Sequence, residues 1–192
     1  MGGVSLITVE ALFLVVTAWL AVFAQSWFGG FRALTGAQVD VLPSLMVYAG
    51  LTGGMWSVGL LSFFAGMLLD SLSLNPLGVS VFPLFVVGWA VNANQELILR
   101  TERYAQCLLG IGAGALVPLL TLSIIVFLMG ERVERPVVGW ESLWRWLVMA
   151  VVGGVATPMI FLFGDLSRRM FLYEVAPENR FRGDREIKRW RV

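Results

Sequence analysis

Apolar runs long enough to cross a bilayer follow one another through this chain with only brief polar breaks. A helical crossing takes about 20 apolar residues, so the question is how many crossings there are. Of the 192 residues 58% are hydrophobic and only 14% charged, and the mean hydropathy is +0.80. A soluble domain carries about 25% charged residues. Six crossings would use roughly 120 residues, leaving short loops and one tail, with no room for a second domain. The expected fold class is therefore an all-α polytopic membrane protein, a six-helix bundle over 1–163 with a basic tail over 164–192.

The first span runs from about Leu6 to Phe28, with Trp19 and Trp27 toward its far end, where aromatic rings favour the headgroup layer. Met1–Gly3 carry no Lys or Arg, so the run lacks the charged start of a cleavable signal and reads as a retained helix. The second and third spans are closely coupled, Val41 to about Gly54 and Met55 to about Leu72. The second is short for a full crossing and is expected to be tilted, kinked or partly re-entrant. Residues 73–78, SLNPLG, form a compact turn, because Asn-Pro and Gly punctuate helices. The fourth span covers about Val79 to Leu97, the fifth Ala105 to Met129 and the sixth Leu143 to Phe163.

Charge placement sets the orientation. The tail holds Arg168, Arg169, Arg180, Arg182, Arg185, Lys188, Arg189 and Arg191, and the four-to-five loop adds Arg100 and Arg103. Arg32, Arg132, Arg135 and Arg145 fall on the opposite side. Ten basic residues against four put both termini in the cytoplasm by the positive-inside rule. The tail residues Arg168, Arg169, Arg180, Arg182, Lys188 and Arg189 would lie against anionic lipid or an acidic partner surface, or the tail would simply move freely.

Asp70, ending the run Ala65-Gly66-Met67-Leu68-Leu69-Asp70, is the residue that most needs a reason. A carboxylate in a bilayer is costly and suggests function by default. Gly59, Phe63, Gly66 and Asp70 share one helix face, small enough for another helix to approach. The plainer reading makes Asp70 a cap on the turn of Asn75, Pro76 and Gly78 through backbone N–H groups. A proton-relay role lacks an opposing intramembrane Lys, Arg or His. Gly50 with Gly54, and Gly110 with Gly114, repeat the four-residue spacing that lets helix backbones touch, either within the bundle or against a partner. Asn92, Asn94, Gln95 and Glu96 mark a membrane interface, as do Trp140, Trp144 and Trp146 around Arg145.

Histidine is absent and Cys107 is the single cysteine, which excludes an internal disulfide framework and argues against a Cys/His metal site. There is no nucleophile–base pair and no Walker or Rossmann glycine pattern. No cofactor, metal or nucleic acid is expected, nor an enzyme.

From Val41 to Trp89 the chain resembles the MreD family, the rod-shape-determining membrane proteins of bacteria. The resemblance rests on Pro43 opening the second span, the Gly-rich helix pair, the Gly66-to-Asp70 element, and Pro76-Leu77-Gly78 leading into an apolar helix through Trp89. Ser44 stands where that family often has an acid. The resemblance implies a non-enzymatic scaffold of the elongation machinery in the bacterial inner membrane, supporting peptidoglycan synthesis and cell shape. Its implied partners are MreC, the MreB system, and RodA with its class B penicillin-binding protein, together with membrane lipids. MreC would dock on a Gly-rich groove, at the Gly59/Phe63/Gly66 face or at Gly110/Gly114. The MreD fold is similar to the substrate-binding subunits of energy-coupling-factor transporters, so the second reading is a vitamin-type binding subunit. Those subunits often dock through Ala-x-x-x-Ala on the first helix, and Ala11, Ala18, Ala21 and Ala24 form no such pair.

Overall fold

The computed structural model describes residues 14–23, 25, 40–73, 76–96, 102–129 and 140–172. These residues form six helices and no strand: α1 (Leu14–Phe23), α2 (Leu42–Thr52), α3 (Met55–Leu72), α4 (Val81–Ala93), α5 (Arg103–Met129) and α6 (Trp140–Leu172). Three of them, α3, α5 and α6, are long and apolar enough to cross a membrane.

The molecule is organised around α2. At about 1.5 Å per residue its 11 residues reach only about 16 Å, half the hydrocarbon thickness. Leu42 to Leu51 are all buried, and a helix apolar on every side belongs inside protein or within a membrane. It packs against α3, α4, α5 and α6. The second span is thus a short, enclosed central helix, which fits the expectation of a run too short for a straightforward crossing. Pro43 in the first turn costs α2 nothing, since that N–H has no intrahelical acceptor. At the other end Gly53 donates its N–H to the Ala49 carbonyl at 2.8 Å, and the chain passes through Gly54 into α3.

The outer helices each turn one stripe inward. Leu14, Ala18 and Val22 of α1 are buried, four residues apart, while Val16, Trp19, Leu20 and Phe23 are exposed. Leu84, Val87, Gly88 and Val91 form the buried stripe of α4. Helices α5 and α6 make the most extensive pairing, and each carries a proline, Pro118 and Pro158, that removes one backbone hydrogen bond from its interior.

Two boundaries differ from the sequence reading. Helix α4 spans Val81–Ala93, shorter than the expected run to Leu97. Helix α6 passes through Gly164 and continues to Leu172, so the expected division at 163 falls inside a helix. Gly164 does not end the helix, because it serves packing: a Cβ there would collide with the Tyr48 ring and hydroxyl. Tyr48 also meets Phe161 edge-on at 5.0 Å. Of the residues singled out in the sequence, Trp27, Arg32, Asn75, Arg100, Arg132, Arg135 and the basic residues from Arg180 onward lie outside the described residues, and Arg168 and Arg169 fall on the last turns of α6.

Candidate functional site

The turn between α3 and α4 is built on one side chain. Asp70 is 1% exposed. Its Oδ2 accepts the backbone N–H of Gly78 at 2.8 Å and of Ser80 at 3.0 Å, and its Oδ1 accepts the Ser80 hydroxyl at 2.5 Å. Gly78 has φ +91°, a left-handed conformation that only glycine adopts without strain, and this bend aims the N–H groups back at α3. Ser80 and the residues after it open α4, whose first N–H groups have no partner inside the helix. Asp70 therefore works as a cap supplied from a neighbouring helix, and three donors offset the burial of its carboxyl.

One turn earlier, Gly66 lets α4 come close. A Cβ on Gly66 would stand 2.7 Å from Val81 Cα and 2.8 Å from Val81 N. The small face expected to receive a partner helix is at this end already occupied by α4. The same correction applies to Gly110 and Gly114. A Cβ at Gly110 would overlap the Gly153 carbonyl and the Thr157 hydroxyl, and one at Gly114 would lie 2.6 Å from the Met149 carbonyl oxygen. Both glycines serve the α5–α6 crossing, because two backbones in contact leave no space for a third. What stays outward on α3 is Gly59, with open space around a hypothetical Cβ, and Phe63, 53% exposed. Pro76 is exposed as well.

Two polar ties hold the central helix and were not legible from spacing. Ser44 donates to the Gly153 carbonyl at 3.2 Å, and Thr157 donates to the same oxygen at 2.7 Å. Asn92 donates through Nδ2 to the Gly50 carbonyl at 3.0 Å and the Gly53 carbonyl at 3.3 Å. These carbonyls belong to the unsatisfied end of α2. Asn92 is thus a tie between α4 and α2 rather than only an interface marker. An amide one turn beyond an apolar stripe, facing a short helix that ends in Gly-Gly, is the signal that points to it.

At the opposite end of α2 lies a cavity of about 370 Å³. It is walled by the starts of α2 and α6, the end of α3, Ser80, and the part of α5 beyond Gly114. Asp40, Ser73, Ser80, Thr121, Ser142 and Arg145 supply its polar atoms, while Leu69, Val117, Pro118, Leu122, Ile125 and Met149 supply much of its apolar wall. Ser80 belongs to both features, so the Asp70 cap lies directly behind the cavity wall.

Asp40 precedes α2, outside the candidate spans. Its Oδ1 accepts the Leu42 N–H at 3.0 Å, and among the described residues its Oδ2 accepts no hydrogen bond. Burial of the carboxyl pushes its pKa from 3.8 up to about 6, with the Leu42 N–H acting in the opposite direction. The residue itself is half-buried. The sequence did not single out Asp40, and the binding-subunit reading placed no cavity at this end of α2. Arg145, read there as one charge in a tryptophan belt, lines the same cavity together with Trp146.

No family model, no curated protein and no solved structure matches this chain. The fold and site define a class: an all-helical protein, three of whose helices are long and apolar enough to cross a membrane, with a capped α3–α4 turn backing a ligand-sized cavity.

Proposed function

We propose that this chain is a non-enzymatic scaffold of the bacterial elongation machinery, an MreD-type protein that docks MreC and supports peptidoglycan synthesis and cell shape. It resides in the inner membrane with both termini in the cytoplasm, as the distribution of basic residues favours. The observation that most supports this reading is that the motif residues act as one unit. Gly66, Asp70 and Gly78 of the motif, with Ser80 just beyond it, make a single junction between α3 and α4. A motif that fixes helix geometry, rather than presenting reactive groups, suits a protein whose work is to hold others in place.

With Gly66, Gly110 and Gly114 consumed internally, the surface left to the single span of MreC is the outer face of α3 at Gly59 and Phe63. RodA with its class B penicillin-binding protein and the MreB system would assemble around that pair. The test is co-purification of the tagged full-length chain with MreC from membranes. Gly59→Leu, which meets open space in the chain itself, should weaken capture at unchanged membrane insertion. Absence of MreC from the parent pull-down would sink the scaffold reading.

The cavity supports a second reading, the binding subunit of a vitamin-type transporter, since its volume falls within the range of small-molecule sites, about 300–1,000 Å³. Mass spectrometry of the purified protein decides this: a co-purifying vitamin-sized compound supports the transporter, and only scaffold partners support the first reading.

A further inference from the structure

We propose that the cavity at the start of α2 binds the headgroup of a zwitterionic phospholipid, with its ammonium on Asp40 and its phosphate on Arg145. The proposal does not depend on the scaffold reading, and lipid retention and MreC capture are separate measurements.

The chemistry of the lining selects the ligand class. Asp40, whose Oδ2 accepts no hydrogen bond among the described residues, and Arg145 line one space, and that pair matches a molecule carrying both charges better than a molecule carrying one. Arg presents a planar donor fork suited to phosphate, and Ser73 and Ser142 line the same cavity. A carboxylate at the same site disfavours purely anionic headgroups, because the like charge raises the free energy of the bound state.

The apolar wall selects an amphiphile over a water-soluble zwitterion. Leu122 lines the cavity, yet is 40% exposed and lies within the candidate span of α5. The cavity thus opens toward the surface that hydrocarbon would cover. At about 370 Å³ it is too small for a whole diacyl lipid. It accommodates the headgroup and the start of the chains, which would leave past Leu122. The location agrees with this division, for Asp40 and Arg145 stand at helix starts, the level where headgroups lie, and the apolar wall continues along α5.

The experiment uses the full-length chain, delipidated in mild detergent and mixed with equal amounts of palmitoyl-oleoyl phosphatidylethanolamine and phosphatidylglycerol. Native mass spectrometry then reads which lipid is retained. Phosphatidylethanolamine should be retained about tenfold better, the factor set by one charge-assisted hydrogen bond. Asp40→Asn should erase that preference, and Arg145→Gln should lower retention of both lipids. Leu122→Trp, a change on the exposed rim, should block both without disturbing elution as a single species. Should Asp40→Asn fail to fold, Arg145→Gln and Leu122→Trp still decide, and unchanged retention in both overturns the proposal. Equal retention of the two lipids by the parent chain overturns it too. Binding of soluble O-phosphoethanolamine as tight as that of the lipid replaces the phospholipid with a water-soluble zwitterion.

Discussion

Asp70 and Asp40 show how differently two carboxyls are handled a short distance apart in the same fold. Asp70 takes three donors and stays buried, so its removal leaves the Gly78 and Ser80 N–H groups without an acceptor. Each orphaned donor costs about 1–3 kcal/mol, and Asp70→Ala should therefore lose about 3 kcal/mol or more in thermal unfolding in detergent. Ser80→Ala removes one donor only and should lose less. Asp40 has one backbone donor against burial, and its folded pKa of about 6 lies above its ordinary 3.8. An acid raised on folding is most stable when protonated, so its contribution declines as pH rises from about 4 through about 6 and is flat above that range. The shift corresponds to at most about 3 kcal/mol, and to less because the residue is only half-buried. Asp40→Asn should flatten the unfolding temperature across that pH window. A slope that survives the substitution would assign it to another group. Asp70 was legible in the sequence because an acid ending an apolar run beside an Asn-Pro turn demands a partner. Asp40 was not, since nothing local marks a loop residue as the wall of a cavity formed by distant helices.

At the scale of the helix, hydropathy located α3 closely, with Met55 and about Leu72 as its expected ends, because polar or glycine punctuation stands at both. It recognised α2 as short but could not place it, since a short apolar run reads alike whether lipid or protein surrounds it; only the neighbours decide, and they come from distant parts of the chain. Glycine spacing identified close approach but not its partner. The α5–α6 crossing makes the point testable. Gly110 meets the Gly153 carbonyl and Thr157, whereas Gly112, two residues on, faces open space. Gly110→Leu should force the helices apart and cost about 3 kcal/mol or more. Gly112→Leu should change stability by no more than about 0.5 kcal/mol. Equal losses in the two variants, measured by unfolding in detergent, would mean that the crossing is not the close contact described.

For the whole molecule, the arrangement of the helices ties the orientation in the membrane to the side on which the cavity opens. Helices α2 and α3 are antiparallel about Gly53 and Gly54, and α3 and α4 about the capped turn. The cavity at the start of α2 therefore shares its end of the molecule with Leu77, and the opposite end carries Asn94. If the basic C-terminal segment is cytoplasmic, α6 runs inward and α5 outward. Helix α4 then runs inward too, which places Leu77 and the cavity outside and Asn94 inside. Both residues are exposed, and Cys107 is the only native thiol, so a Cys107→Ser background gives a clean test. Leu77→Cys in intact cells should react with a membrane-impermeant maleimide, while Asn94→Cys should react only after the membrane is opened. The reverse pattern would turn the protein over, move the cavity to the cytoplasmic leaflet, and leave the count of basic residues a poor guide to this chain. The expected pattern would bring the headgroup site to the outer leaflet, on the side where peptidoglycan is assembled.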